Sequence, residues 1–148
     1  MGMQAQRLLI PVLLAILVAS SFMAGCTSTT DEADQKSEQI NKDLNSDEAY
    51  ALIQDNRDNE NFVILDVRTP EEYADGHIAK AINLDYNSET FRDELGKLDK
   101  SKTYLVYCRS GRRSAGARDM MKELSFKTVY HMTGGILEWE AAGLPLVR

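Results

Sequence analysis

Cysteine and histidine are scarce in this chain of 148 residues, which contains two of each. Protein zinc sites use three or four ligands drawn mainly from cysteine and histidine. His77 and His131 are isolated from each other in the sequence, and only two cysteines are available, Cys26 and Cys108. We therefore expect no metal site.

Positive charge is also in deficit, because 17 lysines and arginines stand against 23 acidic residues and give a formal net charge of −6. This balance argues against nucleic acid or an anionic lipid surface as the main partner. The run from 109 to 113, which holds three arginines, is a local exception. Gly134-Gly135 lacks the Lys-Ser/Thr of a phosphate-binding loop and predicts a turn before the last helix.

The first 25 residues differ in composition from the rest. Met1–Arg7 is weakly basic, Leu8–Phe22 is almost wholly apolar, and Met23-Ala24-Gly25-Cys26 follows. This pattern predicts a secretory signal peptide over 1–25. Its end resembles the lipobox of bacterial lipoproteins, although Met23 stands where leucine is usual. The resemblance implies that Cys26 is lipidated and becomes the mature N-terminus.

An uncleaved membrane anchor and plain secretion are the alternatives to a lipoprotein. The anchor stays open because the apolar run is borderline in length for spanning a bilayer. All three place the folded part outside the cytoplasm, and the first makes it a lipoprotein on a membrane of the cell envelope. Residues 26–45 are rich in polar side chains and predict a flexible tether. The folded domain is then expected over 46–148. Lipidation of Cys26 would leave Cys108 as the only free thiol, which favours a reactive role for it.

From Ser46 onward, helical and strand patterns alternate along the chain. Ser46, Thr69 and Ser114 are candidate N-caps, and Thr69-Pro70-Glu71-Glu72 has the form of a capping box with proline at the first helical position. The predicted helices are 46–57, 70–76, 88–98, 114–124 and 135–142, and the predicted strands are 62–67, 81–84, 103–107 and 128–131. This alternation predicts an α/β fold with a mostly parallel sheet covered by helices on both faces.

The segment 104–114 is the most informative part of the chain. It reads Tyr-Leu-Val-Tyr-Cys-Arg-Ser-Gly-Arg-Arg-Ser, which predicts a buried strand, a cysteine at its end, a basic loop and a helix. Ligands bind beyond the carboxyl ends of strands in such sheets. Nearby positive charge and a helix N-terminus favour the reactive thiolate form of Cys108.

This loop resembles the active-site loop of the rhodanese (sulfurtransferase) family, and two more segments agree. Leu65–Tyr73, with Gly76-His77-Ile78 and Ala81-Ile82-Asn83 after it, is similar to the family's first signature. Gly134–Trp139 with Gly143-Leu144-Pro145 is similar to its C-terminal signature. The resemblance covers roughly 46–148, and the family's α/β architecture agrees with the pattern above.

The resemblance implies that Cys108 attacks a sulfur donor such as thiosulfate, carries a persulfide, and passes the sulfur to an acceptor such as cyanide or a thiol. No cofactor is needed, because the thiol carries the sulfur. Backbone N–H groups of the loop would cradle the sulfur, with Gly111 permitting the tight turn. Ser110 and Ser114 would donate hydrogen bonds to it, and Ser114 is expected mainly as a helix cap.

Arginines of the loop would hold the anionic donor, since guanidinium groups match oxyanions. Arg113 is the first choice and Arg109 the second, whereas Arg112 could simply face solvent. In the family, the positions of Asp66 and Arg68 mainly support the loop, with the arginine paired to nearby acids. The family position that matches His77 has a structural role. Trp139 is expected in the core.

Two other functions stay open. Related cell-cycle phosphatases and arsenate reductases use a Cys-x5-Arg loop, but Cys108 to Arg113 is Cys-x4-Arg, one residue shorter. The smaller loop suits a sulfur atom better than a tetrahedral phosphate. A non-catalytic rhodanese-like binding module is the third possibility, although such modules often lack the cysteine. The physiological sulfur donor and acceptor are not encoded in these motifs.

Overall fold

The structure, a computed structural model, describes residues 38–148. Strands and helices alternate along this part of the chain, as the sequence predicts. The strands are β1 (Ile40–Leu44), β2 (Phe62–Asp66), β3 (Ile82–Asn83), β4 (Thr103–Tyr107) and β5 (Thr128–Met132). The helices are α1 (Ser46–Asp55), α2 (Pro70–Asp75), α3 (Phe91–Gly96), α4 (Arg112–Glu123) and α5 (Gly135–Ala141).

The five strands form one sheet in the order β1-β5-β4-β2-β3, and every neighbouring pair is parallel. β4 occupies the centre, between β5 and β2. All but its first residue are buried. The residue that follows it, Cys108, therefore emerges at the middle of the sheet's carboxyl edge, which is the expected place for a ligand site.

Side chains of β4 alternate between the two faces of the sheet, with the period of two that strands impose. Tyr104 and Val106 join a core with Phe91 of α3 and Met121 of α4. On the opposite face, the other core contains Leu105, Tyr107, Ala49 of α1, and Ile136 and Trp139 of α5. Helices thus cover both faces, which confirms the predicted fold class and the core position of Trp139.

β1 corrects the predicted tether over 26–45. Ile40–Leu44 pairs in register with all of β5, from Ile40 opposite Thr128 to Leu44 opposite Met132. Only Leu44 of the five residues is buried, because β1 is an edge strand. The folded domain accordingly begins before Ser46. The rest of the predicted tether up to residue 37 and the predicted signal peptide, Cys26 included, lie outside the described residues.

Of the three predicted N-cap residues, one caps its helix and two do not. Thr69 caps α2 in a full capping box with Glu72, with Pro70 as the first helical residue, as predicted. The cap of α1 is Asn45, which forms the same reciprocal pair with Glu48, so Ser46 is not the N-cap. α4 begins at Arg112 after a left-handed Gly111, so Ser114 is not its cap.

None of the helices in 38–148 is both long enough and apolar enough to cross a bilayer.

Candidate active site

Cys108 lies at the base of a loop that encloses its sulfur. The residue is 1% exposed, and Sγ accepts the backbone N–H of Gly111 at 3.2 Å and the hydroxyl of Ser114 at 3.4 Å. Burial raises the pKa of the Cys108 thiol. Hydrogen bonds from the Ser114 side chain and from the backbone of Ser114, Ser110 and Gly111 outweigh it, so the pKa lies below its usual value. The loop therefore stabilises the thiolate, which is the nucleophilic form.

The shape of this loop depends on Gly111. Its φ of +88° lies in the left-handed region, and a Cβ there would stand 1.8 Å from the carbonyl oxygen of Thr133. Only glycine combines that backbone conformation with so close an approach. Gly111 thus turns its N–H toward Sγ while its Cα packs on the segment after β5.

The start of α5 holds the loop from the other side. Ile136 and Leu137 donate their N–H groups to the carbonyls of Cys108 and Arg109, at 2.9 and 3.1 Å. Gly135 has φ +60°, and a Cβ there would lie 2.6 Å from the Cys108 carbonyl. The Gly-Gly turn therefore places N–H donors against the backbone of the loop. The Gly-Gly turn and the cysteine loop are thus in direct contact.

Asp66 and Arg68, which the resemblance implies as supporting residues, form a buried ion pair. The Arg68 guanidinium donates to both Asp66 carboxylate oxygens at 2.7 to 3.0 Å. Its Nη2 also donates to the carbonyl of Gly76 at 2.7 Å, at the end of α2. Both side chains are nearly inaccessible to solvent. The pair fixes the end of β2 to the end of α2, next to the strand that carries Cys108.

The three loop arginines have different surroundings. Arg113 makes a two-pronged ion pair with Glu72 of α2, at 2.7 and 2.8 Å. The hydrogen bond from Arg113 is the main reason that the pKa of Glu72 falls to about 2. Arg113 is thus already paired, although it was the first choice for holding a donor anion.

Arg109 and Arg112 are exposed, and neither forms an ion pair within 38–148. Both lie beside an open cavity of about 370 Å³ that reaches the sulfur. Its lining residues are Asn87, Cys108, Arg109, Ser110, Arg112 and Arg113. A small anion in this cavity would lie beside Arg109, Arg112 and Cys108.

His131 is a part of this site that no motif indicated. It is 4% exposed, and its Nε2 lies 3.0 Å from Ser114 Oγ, while its Nδ1 lies 3.0 Å from Asp43 Oδ1. No local signal could have found it, because its partners are 17 and 88 positions away. For Glu72, the sequence predicted the capping box of α2 but not the ion pair with Arg113.

His77 has the structural surroundings that the sequence predicts. Its ring stacks on Tyr73 at 3.7 Å, Nδ1 lies 3.0 Å from the Tyr73 carbonyl, and its backbone pairs with Val147. Within residues 38–148, no group of three or more histidine, cysteine or acidic side chains is arranged to hold a metal ion.

The chain is similar to one family model and to several known proteins. The family model described as rhodanese-like domain matches residues 45–142. A sulfurtransferase of Allochromatium vinosum is 33% identical over 104 residues, which are 70% of this chain and 95% of the relative. A putative mitochondrial thiosulfate sulfurtransferase of Schizosaccharomyces pombe is 38% identical over 52% of this chain and 62% of its own length. A tRNA uridine(34) hydroxylase of Sodalis glossinidius is 35% identical over 70% of this chain, but only 30% of that enzyme is covered.

Solved structures show the same architecture. A rhodanese-related protein from Thermoplasma volcanium superposes with a TM-score of 0.59 at 32% identity, covering 74% of this chain and 97% of that one. A rhodanese-like domain protein from Staphylococcus aureus gives 0.57 at 28% identity, over 66% and 90% of the two chains.

Proposed function

The chain belongs to the family of rhodanese-like domains, and on this premise we propose that it transfers sulfane sulfur through a persulfide on Cys108. The observation that carries the proposal is the sulfur itself, buried at the strand end and hydrogen-bonded by Gly111 and Ser114 beneath an arginine-lined cavity. Covalent catalysis by an activated thiolate suits this arrangement. Sulfurtransferase relatives support the reaction class.

In the first half-reaction, the Cys108 thiolate attacks the outer sulfur of a donor such as thiosulfate. A sulfur–sulfur bond forms on the enzyme, the sulfur–sulfur bond of thiosulfate breaks, and sulfite leaves with the electron pair. Arg109 and Arg112 are the groups available to bind the oxyanion end of the donor, since guanidinium groups donate to such oxygens in a planar fork. Hydrogen bonds of the loop stabilise the thiolate before attack and the persulfide anion afterwards.

In the second half-reaction, a nucleophile such as cyanide or a thiolate attacks the terminal sulfur of the persulfide. The bond to Cys108 Sγ breaks, and its electron pair returns to Sγ as the thiolate. A cyanide acceptor would leave as thiocyanate and a thiol acceptor as a persulfide. No cofactor enters either step, because each is a displacement in which the nucleophile supplies the electron pair of the new bond and the leaving group takes the pair of the broken bond.

The test is mass analysis of the full-length protein after brief exposure to thiosulfate, read on the tryptic peptide Thr103–Arg109. We expect a gain of about 32 Da, one sulfur atom, that a reductant reverses and that Cys108→Ser abolishes. Turnover of a phosphate ester or arsenate without this gain would instead favour the phosphatase and arsenate reductase class. Absence of every reaction, with partner binding unaffected by Cys108→Ser, would favour a binding module.

The exported location and the lipid anchor are a second part of this proposal and rest on the sequence alone. The apolar run Leu8–Phe22 and the lipobox-like Met23-Ala24-Gly25-Cys26 after it support lipidation of that cysteine. Labelled fatty acid should be incorporated into the protein in a bacterial host, and Cys26→Ala should abolish the incorporation. If Cys26→Ala keeps the label, the assignment of Cys26 is wrong.

A further inference from the structure

His131 is a buried titratable residue for which sulfur transfer, as described above, has no use. It lies on β5, and its two ring nitrogens connect two parts of the fold. Nδ1 is 3.0 Å from Asp43 Oδ1 on β1, and Nε2 is 3.0 Å from Ser114 Oγ on α4. Ser114 in turn contacts the Cys108 sulfur. A continuous chain of polar contacts therefore runs from the edge strand to the nucleophile.

The oxygens around the imidazole determine which form of it fits. Nδ1 faces a carboxylate oxygen, which only accepts. Nε2 also lies 3.0 Å from the carbonyl oxygen of Gly111, another acceptor. A neutral ring carries one N–H, so it would leave a nitrogen lone pair facing an acceptor oxygen. The doubly protonated imidazolium donates at both nitrogens and satisfies both contacts.

Beside the imidazolium, the Ser114 hydroxyl has one proton and two acceptors within reach. These are the Cys108 sulfur at 3.4 Å and the Gly111 carbonyl at 3.0 Å. A protonated His131 Nε2 donates to both Gly111 O and Ser114 Oγ. It therefore competes with the Ser114 hydroxyl for the Gly111 carbonyl, and it occupies a lone pair of that hydroxyl. The hydroxyl proton then has the sulfur as its remaining partner. A neutral ring protonated at Nδ1 would do the opposite and draw the Ser114 proton to its own Nε2.

We propose that His131, held as the imidazolium by Asp43, is a positioning residue that keeps the Ser114 hydroxyl proton on the Cys108 sulfur. This inference rests on the proposed function for the role of Cys108 as nucleophile. His131 never touches the donor. It acts through Ser114, and it links the nucleophile to β1, which the sequence analysis assigned to a tether.

The charged groups nearest to His131 come from β1, the cysteine loop and α4. Asp43 faces it from β1, the Cys108 thiolate lies beyond Ser114, and Arg118 of α4 donates to the same Asp43 oxygen at 2.6 Å. The hydrogen bond from His131 is the largest cause of the lowered pKa of Asp43. Asp43 therefore stays a carboxylate at neutral pH and can hold the imidazolium.

Asp43→Asn tests the proposal by the sign of its effect. Removing a negative charge near the site favours a thiolate through space, so simple electrostatics predicts a thiol that reacts as fast or faster. Loss of the carboxylate also removes the partner of the imidazolium, so our proposal predicts a slower thiol. The readout is the rate of Cys108 alkylation by iodoacetamide at pH 7 in the full-length protein, measured on the peptide Thr103–Arg109. No sulfur donor is present.

We expect Asp43→Asn to react about three- to tenfold more slowly than the unaltered protein, the scale of one typical hydrogen bond. Asp119→Asn is the matched control, because Asp119 pairs with the same Arg118 but does not contact His131. It should change the rate less than twofold. Equal slowing by both variants, or a rate for Asp43→Asn at or above that of the unaltered protein, would overturn the proposal.

A double variant separates positioning from a general loss of packing. In a Ser114→Ala background the hydroxyl is gone, so Asp43→Asn should no longer slow alkylation. Slowing that persists in that background would contradict a role through Ser114. The Asp43 side chain is 56% exposed, so the variant should fold, and circular dichroism checks this. Failure of thiosulfate to load sulfur, with this alkylation pattern intact, would refute the proposed function but not the role of His131.

Discussion

Replacement of Glu72 by glutamine should destabilise the domain in a way that depends on pH. Glu72 pairs with Arg113 across α2 and α4, and its side chain is 28% exposed. Its pKa falls from 4.5 to about 2 in the folded protein, mainly because of the hydrogen bond from Arg113. A lowered carboxyl pKa contributes stability above pH 4.5, and this contribution is lost as the pH falls toward 2.

The size of the effect follows from that shift. Between pH 7 and pH 3 the linkage gives a loss of about 2 kcal/mol as an upper value, and partial exposure reduces it to about 1–2 kcal/mol. Glutamine also serves in a capping box, so Glu72→Gln keeps the start of α2 and removes the charge. The free energy of unfolding should therefore differ between the two proteins at pH 7, and much less at pH 3.

Urea unfolding at both pH values measures this difference. Glu140→Gln is the matched control, since Glu140 is exposed on α5 and makes no ion pair within the described residues. It should give the same small difference at both pH values. A difference for Glu72→Gln that is as large at pH 3 as at pH 7 would refute the reasoning, because the ion pair could not then be its source.

Three further predictions concern the support of the loop. Gly111→Ala should lower the thermal midpoint and slow alkylation of Cys108 at least tenfold, because its Cβ would meet the Thr133 carbonyl, whereas Gly96→Ala, with open space around it, should do neither. Arg68→Met should cost about 3–5 kcal/mol in urea unfolding by leaving Asp66 buried without its partner, against less than about 1 kcal/mol for Arg92→Met, whose pair with Glu123 is exposed. Tyr107→Phe should cost about 1–3 kcal/mol, because the buried N–H of Ile78 loses the hydroxyl that it donates to at 3.1 Å. A cost near zero in either unfolding experiment would mean that water replaces the lost partner.

The sequence by itself determined the features that depend on near neighbours. The start of α2 was predictable because Thr69, Pro70 and Glu72 form a capping box within four positions. The central strand was predictable because the apolar run is too short for a helix and rich in β-branched and aromatic residues. Cys108 could be proposed as the nucleophile because a lone cysteine follows that strand and three arginines follow the cysteine.

Only the tertiary structure decided the features that depend on distant partners. β1 has a single buried residue and no apolar alternation, and it is a strand because β5 offers it an open edge. α4 begins at Arg112 because the Thr133 carbonyl leaves room for nothing but a left-handed glycine before it.

The site shows the same division. Glu72 and Arg113 are 41 positions apart, and Asp43 and His131 are 88 apart. Their contacts follow from the order of strands in the sheet, which brings the ends of β1, β5, β4 and β2 side by side. Local sequence could indicate Cys108 and its loop, because these residues are contiguous. The groups that hold the loop arginine and the loop serine in place come from other strands and helices, so only the folded chain reveals them.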